Sequence, residues 1–147
     1  MASAMPNSAK ANLINGTIDL DTNDIRVRLV MTNTTCDTEV DAITNLADYT
    51  TIDPSDDGSY ADVALASEAV VADDANDRAE FDATDVSFTG LNGDATRDYQ
   101  GILVYKYVDG TNANDLPVVY IDFPATKPKE STSLTVTFDA QGILQLA

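Results

Sequence analysis

Between Arg97 and Phe123, two runs of β-branched, aliphatic and aromatic residues flank a turn-rich link. The first runs from Tyr99 to Val108 and the second from Leu116 to Phe123, with Asp109-Gly110-Thr111-Asn112-Ala113-Asn114-Asp115 between them. That pattern predicts an antiparallel hairpin. Both faces of the first run are apolar. Tyr99, Leu103, Tyr105 and Tyr107 fall on one side, and Ile102, Val104 and Val108 on the other. A strand of this kind is covered on both sides and sits inside a sheet rather than at a solvated edge.

The rest of the chain repeats the strand signal in shorter pieces. Ile25, Val27, Leu29 and Met31 alternate with Arg26, Arg28 and Thr32. Arg78 to Asp82, Asp85 to Thr89 and Ser131 to Phe138 alternate as well, Ile143 to Leu146 reads as a closing strand, and Tyr60 to Val71 holds one or two weaker ones. Acidic or Gly-rich turns separate these pieces, notably Asp19 to Asp24, Asp53 to Ser59 and Asp73 to Asp77. Many short strands between frequent turns, with no βαβ alternation, predict an all-β fold: an antiparallel β-sandwich or a jelly-roll-like barrel.

Two short helices are expected beside the strands. Pro6 to Ile14 has Ala9 and Leu13 on one face and Asn15-Gly16 to end it. Asp37 to Ala47 has Val40, Ile43 and Ala47 at helical spacing, with Thr38 and Asp41 placed like a capping box. No repeat or linker divides residues 1–147, so one domain is expected, with residues 1–8 as a flexible N-terminal arm. The predicted core includes Phe81, Phe88, Leu103, Tyr105, Ile121, Val136 and Phe138.

Charge narrows the functional classes. The chain carries 25 acidic and 8 basic residues, a net charge of −17. Direct nucleic-acid binding needs clustered Lys and Arg, and an anionic membrane surface needs the same, so neither partner is expected. No apolar run approaches the roughly 18 residues that span a bilayer, and Met1 to Pro6 does not read as a secretory signal. The acidity reads first as a solvated outer surface. A docking face for a basic partner and a cation site are the sharper alternatives.

The sequence contains no histidine and one cysteine, Cys36. That removes the commonest general base, the usual zinc ligand and any internal disulfide. No cofactor is expected. A carboxylate-based hydrolase stays open, although at this acidity paired carboxylates carry almost no signal.

Oxygen-rich clusters are the remaining candidates. Asp19, Asp21 and Asp24 begin like a calcium loop, but the sixth position is Asp24 rather than glycine and the twelfth is Val30 rather than glutamate. Asp73, Asp74 and Asp77 form a second cluster. For both, the plainer reading is a turn whose side chains bond their own backbone. Tyr99, Tyr105, Tyr107 and Tyr120 would serve either a sugar-binding face or, more commonly for strand tyrosines, core packing.

Five stretches in order carry a further signal: Asn15 to Leu29, Asp73 to Phe88, Gly101 to Lys106, Pro117 to Phe123, and Gly142 to Leu146. Together they resemble a family of small virion structural proteins of tailed bacteriophages. The resemblance implies a non-enzymatic particle component, most simply a capsid decoration or cement protein on the outer surface of the virion's capsid. It implies the major capsid protein and further copies of the chain, as a dimer or trimer, as partners. A tail or fibre-associated subunit and a carbohydrate-binding module on the virion surface are the alternatives. The contacts are expected from mobile parts: Met1 to Leu13, Asp53 to Tyr60 and Asp109 to Asp115.

Overall fold

The computed structural model describes residues 3–91, 97–127 and 132–146. The described residues form an all-β sandwich of three antiparallel sheets with one α-helix. The strands are β1 (Ser3–Ala4), β2 (Ile25–Met31), β3 (Val63–Ala64), β4 (Ala69–Asp73), β5 (Arg78–Asp82), β6 (Val86–Thr89), β7 (Tyr99–Lys106), β8 (Leu116–Lys127), β9 (Ser133–Val136) and β10 (Leu144–Leu146). The helix α1 spans Asn7–Ile14. The largest sheet has the order β1-β8-β7-β2-β3, and the smaller ones are β10-β5-β4 and β6-β9.

The hairpin anticipated from Arg97 to Phe123 is the β7–β8 pair, and β7 lies between β8 and β2. Its two faces enter two cores. Ile102 and Val104 join Ile25, Val27, Leu29, Phe81 and Phe88 in the larger cluster, between the main sheet and the two small ones. Leu103, Tyr105 and Tyr120 face the other way, against Val30, Cys36, Ile43, Leu46, Tyr49 and Ile52. The second face is therefore covered by irregular chain rather than by a sheet.

Two details of the hairpin differ from simple alternation. The strand ends at Lys106, and Val108 is exposed. Tyr99 does not share a face with Leu103 and Tyr105. The register slips between Tyr99 and Gly101, and Tyr99 packs in the larger core with Ile102. A bulge adds one residue and so reverses the face of everything beyond it. Gly101 sits beside this slip because a Cβ there would lie 2.5 Å from the carbonyl oxygen of Ile121. A second slip lies between Val104 and Tyr105, opposite Pro117, which has no N–H to give the ladder. It lets the successive residues Val118 and Val119 enter the same core.

The helix at α1 begins one residue after Pro6 and ends at Asn15 and Gly16, the latter with φ +77°. Ala9 is buried and Leu13 packs on the core. The second expected helix, Asp37 to Ala47, does not form. Ala42 has φ 60°, which interrupts any right-handed helix. Side chains also take over the backbone groups that a helix would use. Only a 3₁₀ turn, Leu46–Asp48, follows, with the capping pair formed by Asn45 and Asp48 rather than Thr38 and Asp41.

Within the span expected as a flexible N-terminal arm, residues 1–8, the described part carries regular structure. Ser3 and Ala4 pair with Ile121 and Tyr120 as an added strand. Asn7 and Ser8 begin α1, where the Asn7 N–H donates to the Val40 carbonyl at 3.1 Å and the Ser8 hydroxyl donates to the Ile43 carbonyl. Met1 and Ala2 lie outside the described residues.

Of the predicted core, Phe81, Phe88, Leu103, Tyr105 and Ile121 are buried, while Val136 and Phe138 are partly buried at its margin. Strand β9 stops at Val136, short of Phe138, and Ser131 lies outside the described residues. Phe88→Ala should cost about 3–5 kcal/mol, the range for truncating a fully buried phenylalanine. Phe138→Ala should cost clearly less. Urea unfolding of the two variants tests the assignment, and equal losses would contradict it.

Candidate functional site

A cluster of polar side chains lies on the second face of the main sheet. Strand β2 alternates, so Ile25, Val27 and Leu29 point into the larger core and Arg26 and Arg28 point away. Strand β7 places Tyr105 beside Arg28, with the guanidinium carbon 5.1 Å from the ring centre. The segment before β3 supplies Tyr60 and Asp62.

Asp62 ties these groups together. Its Oδ2 accepts from Arg28 Nε at 2.9 Å and from the Tyr105 hydroxyl at 2.7 Å, and its Oδ1 accepts from the Tyr60 hydroxyl at 2.8 Å. The Tyr60 oxygen in turn accepts from the Leu29 N–H at 2.6 Å. Arg28 Nη1 donates to Asn112 Oδ1 at 3.0 Å, in the β7–β8 link. One carboxylate thus joins β2, β7 and the approach to β3, and one guanidinium joins them to the hairpin loop. Burial opposes the charge on Arg28, but Asp62 more than compensates and raises its pKa.

The same motif recurs twice. The Tyr99 hydroxyl donates to Asp57, and the Tyr120 hydroxyl donates to Asp122 at 2.8 Å. Burial first, and the adjacent carboxylate second, push Tyr99 up to about 12 and raise Tyr60, Tyr105 and Tyr120 further. Tyr107 instead lies under the Arg26 guanidinium, 3.5 Å from its ring centre. The tyrosines therefore do not line one sugar-binding face. Tyr99 lies in one core and Tyr105 and Tyr120 in the other, each with its hydroxyl bonded to a carboxylate.

The six candidate cation ligands fall in two separate turns. Asp19 and Asp21 are exposed neighbours, and their interaction lowers the pKa of Asp19 and raises that of Asp21. Asp24 turns to Arg26 at 2.8 Å. Asp73 accepts from Asn76 Nδ2 at 2.7 Å and from Arg78 Nε at 3.2 Å. The Asn76 bond leads in holding Asp73 below its usual value. Asp74 and Asp77 are exposed in the turn that follows β4, and Asp77 has φ 53°. Among the described residues, no three His, Cys, Asp or Glu side chains gather as a metal-holding group.

The loops expected to be mobile are cross-tied. Asp115 is fully buried, and its Oδ1 accepts from the N–H groups of Val108, Asp109 and Gly110 at 2.8–3.3 Å. Asp115 and Asn112 also offer their carbonyls to the N–H groups of Leu46 and Ala47. Asp53 pairs with Arg97 and accepts from the Asn33 N–H at 2.8 Å. Sequence reading missed these roles. The legible signal was an arginine on the outward side of a strand whose neighbour also carries tyrosines.

Comparison with protein-family models, with curated proteins and with solved structures finds no match to the chain.

Two predictions follow from this chemistry. Arg28→Ala should destabilise the fold by about 3 kcal/mol, because Asp62 keeps its burial and loses its cation; chemical denaturation measures it. Five tyrosines, Tyr49, Tyr60, Tyr99, Tyr105 and Tyr120, have raised values. Each keeps its proton to higher pH folded than unfolded. Their contribution to stability is intact below about pH 10, the ordinary tyrosine value, and is lost as pH rises beyond it. In an alkaline titration, most tyrosinate absorbance should appear together with unfolding.

Proposed function

We propose that the chain is a non-enzymatic virion structural protein: a capsid decoration or cement protein that stabilises an assembled phage head by bridging capsomers on its outer surface. The observation that carries this reading is where the reactive groups go. Arg28, Asp62, Tyr60, Tyr99, Tyr105 and Tyr120 are spent on one another beneath the surface. What the fold offers outward is shape, sheet edge and negative charge. The five stretches that resemble small phage virion proteins support the same role.

The partners in this reading are the major capsid protein and further copies of the chain, as a dimer or trimer. Modest contacts repeated on a symmetric shell add up through avidity. A site shared between capsomers exists only after assembly, so the protein binds shells rather than free subunits.

Removing the protein from particles, or deleting its gene, tests the role. Depleted heads should release DNA at a lower temperature than complete heads, and adding the purified protein back should restore them. Depleted heads as heat-resistant as complete ones would overturn it. Normal heads with defective tails would move the protein to the tail.

A further inference from the structure

The hairpin of β4 and β5 leaves one sheet edge open. Strand β4 pairs with β5 on one side, and among the described residues nothing pairs with its other side. All of its residues but Asp73 are exposed, including Val70 at 49% and Val71 at 54%. The main sheet ends differently, in two-residue strands, β1 and β3. Short edge strands are a usual defence against unwanted pairing, and β4 lacks it.

The apolar surface continues inward from that edge. The register sets Val70, Phe81 and Leu144 side by side, and Ala72, Ala79 and Leu146 in the next row of the same face. Phe81 is buried, whereas Leu146 is 50% exposed. A hollow of about 30 Å³ opens among Leu20, Val70, Phe81, Leu144 and Leu146.

The rim decides what fits. Glu68, Asp74, Asp77, Glu80 and Asp82 surround the hairpin. The cation there, Arg78, bonds Asp73, Glu80 and Gln145. A second copy fits poorly in the register that pairs the whole of β4 with itself. Antiparallel pairing of two β4 strands about Val71 sets each Glu68 against the other copy's Asp74, and like charges across a ladder destabilise it. A strand with apolar side chains and flanking Lys or Arg would complete the ladder, cover the valines and neutralise the rim.

We propose that the β4 edge binds an extended, basic-flanked apolar segment of a shell protein as an added strand. Main-chain hydrogen bonds give this mode its affinity, and alternate side chains give it selectivity. The inference deepens the cement role and rests on it for the identity of the partner.

The test uses the intact chain and a fluorescent, end-capped peptide of alternating lysine and valine, with binding read by anisotropy. Controls are a glutamate–valine peptide and a lysine–valine peptide interrupted by proline. The first peptide should bind saturably and the two controls should not. Val71→Lys, at an exposed site, should keep the circular dichroism spectrum and weaken binding by about tenfold or more. The double variant Asp74→Asn/Asp77→Asn should weaken binding and flatten its salt dependence. Equal binding of the proline peptide, or undiminished binding to Val71→Lys, would overturn the inference. So would a dimer in sedimentation that Val71→Lys dissolves, since a second copy would then occupy the edge. On depleted heads, Val71→Lys should also fail to restore heat resistance. If it restores it fully, the edge is not the docking surface while the cement role stands. If the unaltered protein does not restore it, the role itself falls.

Discussion

Everything in this fold follows from having to cover both faces of β7. One face is covered by regular structure, because Phe81 and Phe88 come from strands of the two small sheets. The other is covered by chain with little regular structure, which carries Cys36, Ile43, Leu46, Tyr49 and Ile52 over Leu103, Tyr105 and Tyr120. Irregular chain over a core has a specific difficulty. Its backbone N–H and C=O groups have no ladder to join, and leaving them unpaired is costly. The side chains of this segment answer that difficulty. Glu39 accepts from the Thr50 N–H, Asp48 from Thr44 and Asn45, and the Thr35 hydroxyl from the Thr51 N–H.

The same bonds explain much of the acidity. A carboxylate is an acceptor with two oxygens, suited to stray N–H donors. Asp115 holds three of them in the β7–β8 link. Hydrogen bonds from Thr50, Thr44 and Thr111, in turn, hold Glu39, Asp48 and Asp109 below their usual values. A net charge of −17 therefore does not describe a uniformly solvated surface. Part of it is internal scaffolding, and Asp62 is the clearest case because it binds an arginine and two tyrosines at once.

This division also sets what the sequence could convey. Period-two alternation in β2, β5, β6 and β9, and the two-faced β7, were legible because burial imposes them locally. The bulge that turns Tyr99 into the larger core was not, since a slip of register leaves no mark in composition. Asp37 to Ala47 carries a helical spacing, but tertiary covering of β7 and the left-handed Ala42 prevail over it. The brief pairing of Ser3 and Ala4 with β8 depends on where α1 delivers the arm, which neither residue encodes. For the candidate site, Arg28 was visible as an outward residue, but Asp62 was one acid among 25 and nothing in its neighbours singled it out.

The treatment of sheet edges separates packing from purpose. In the main sheet, each terminal strand is two residues long, and β1 is held by the adjoining helix, whose first residues bond to Val40 and Ile43. Strands that short offer little ladder to a long partner. Strand β4 is five residues long, apolar at its centre and bounded by Glu68 and Asp74. Charges at the ends of an apolar edge protect it against self-pairing while leaving its backbone accessible. Packing alone would favour a polar residue at Val70 or Val71, since both are about half exposed. The combination of an open ladder, apolar side chains and like-charged ends therefore selects by charge: it opposes a copy of itself in full register and admits a strand of opposite sign.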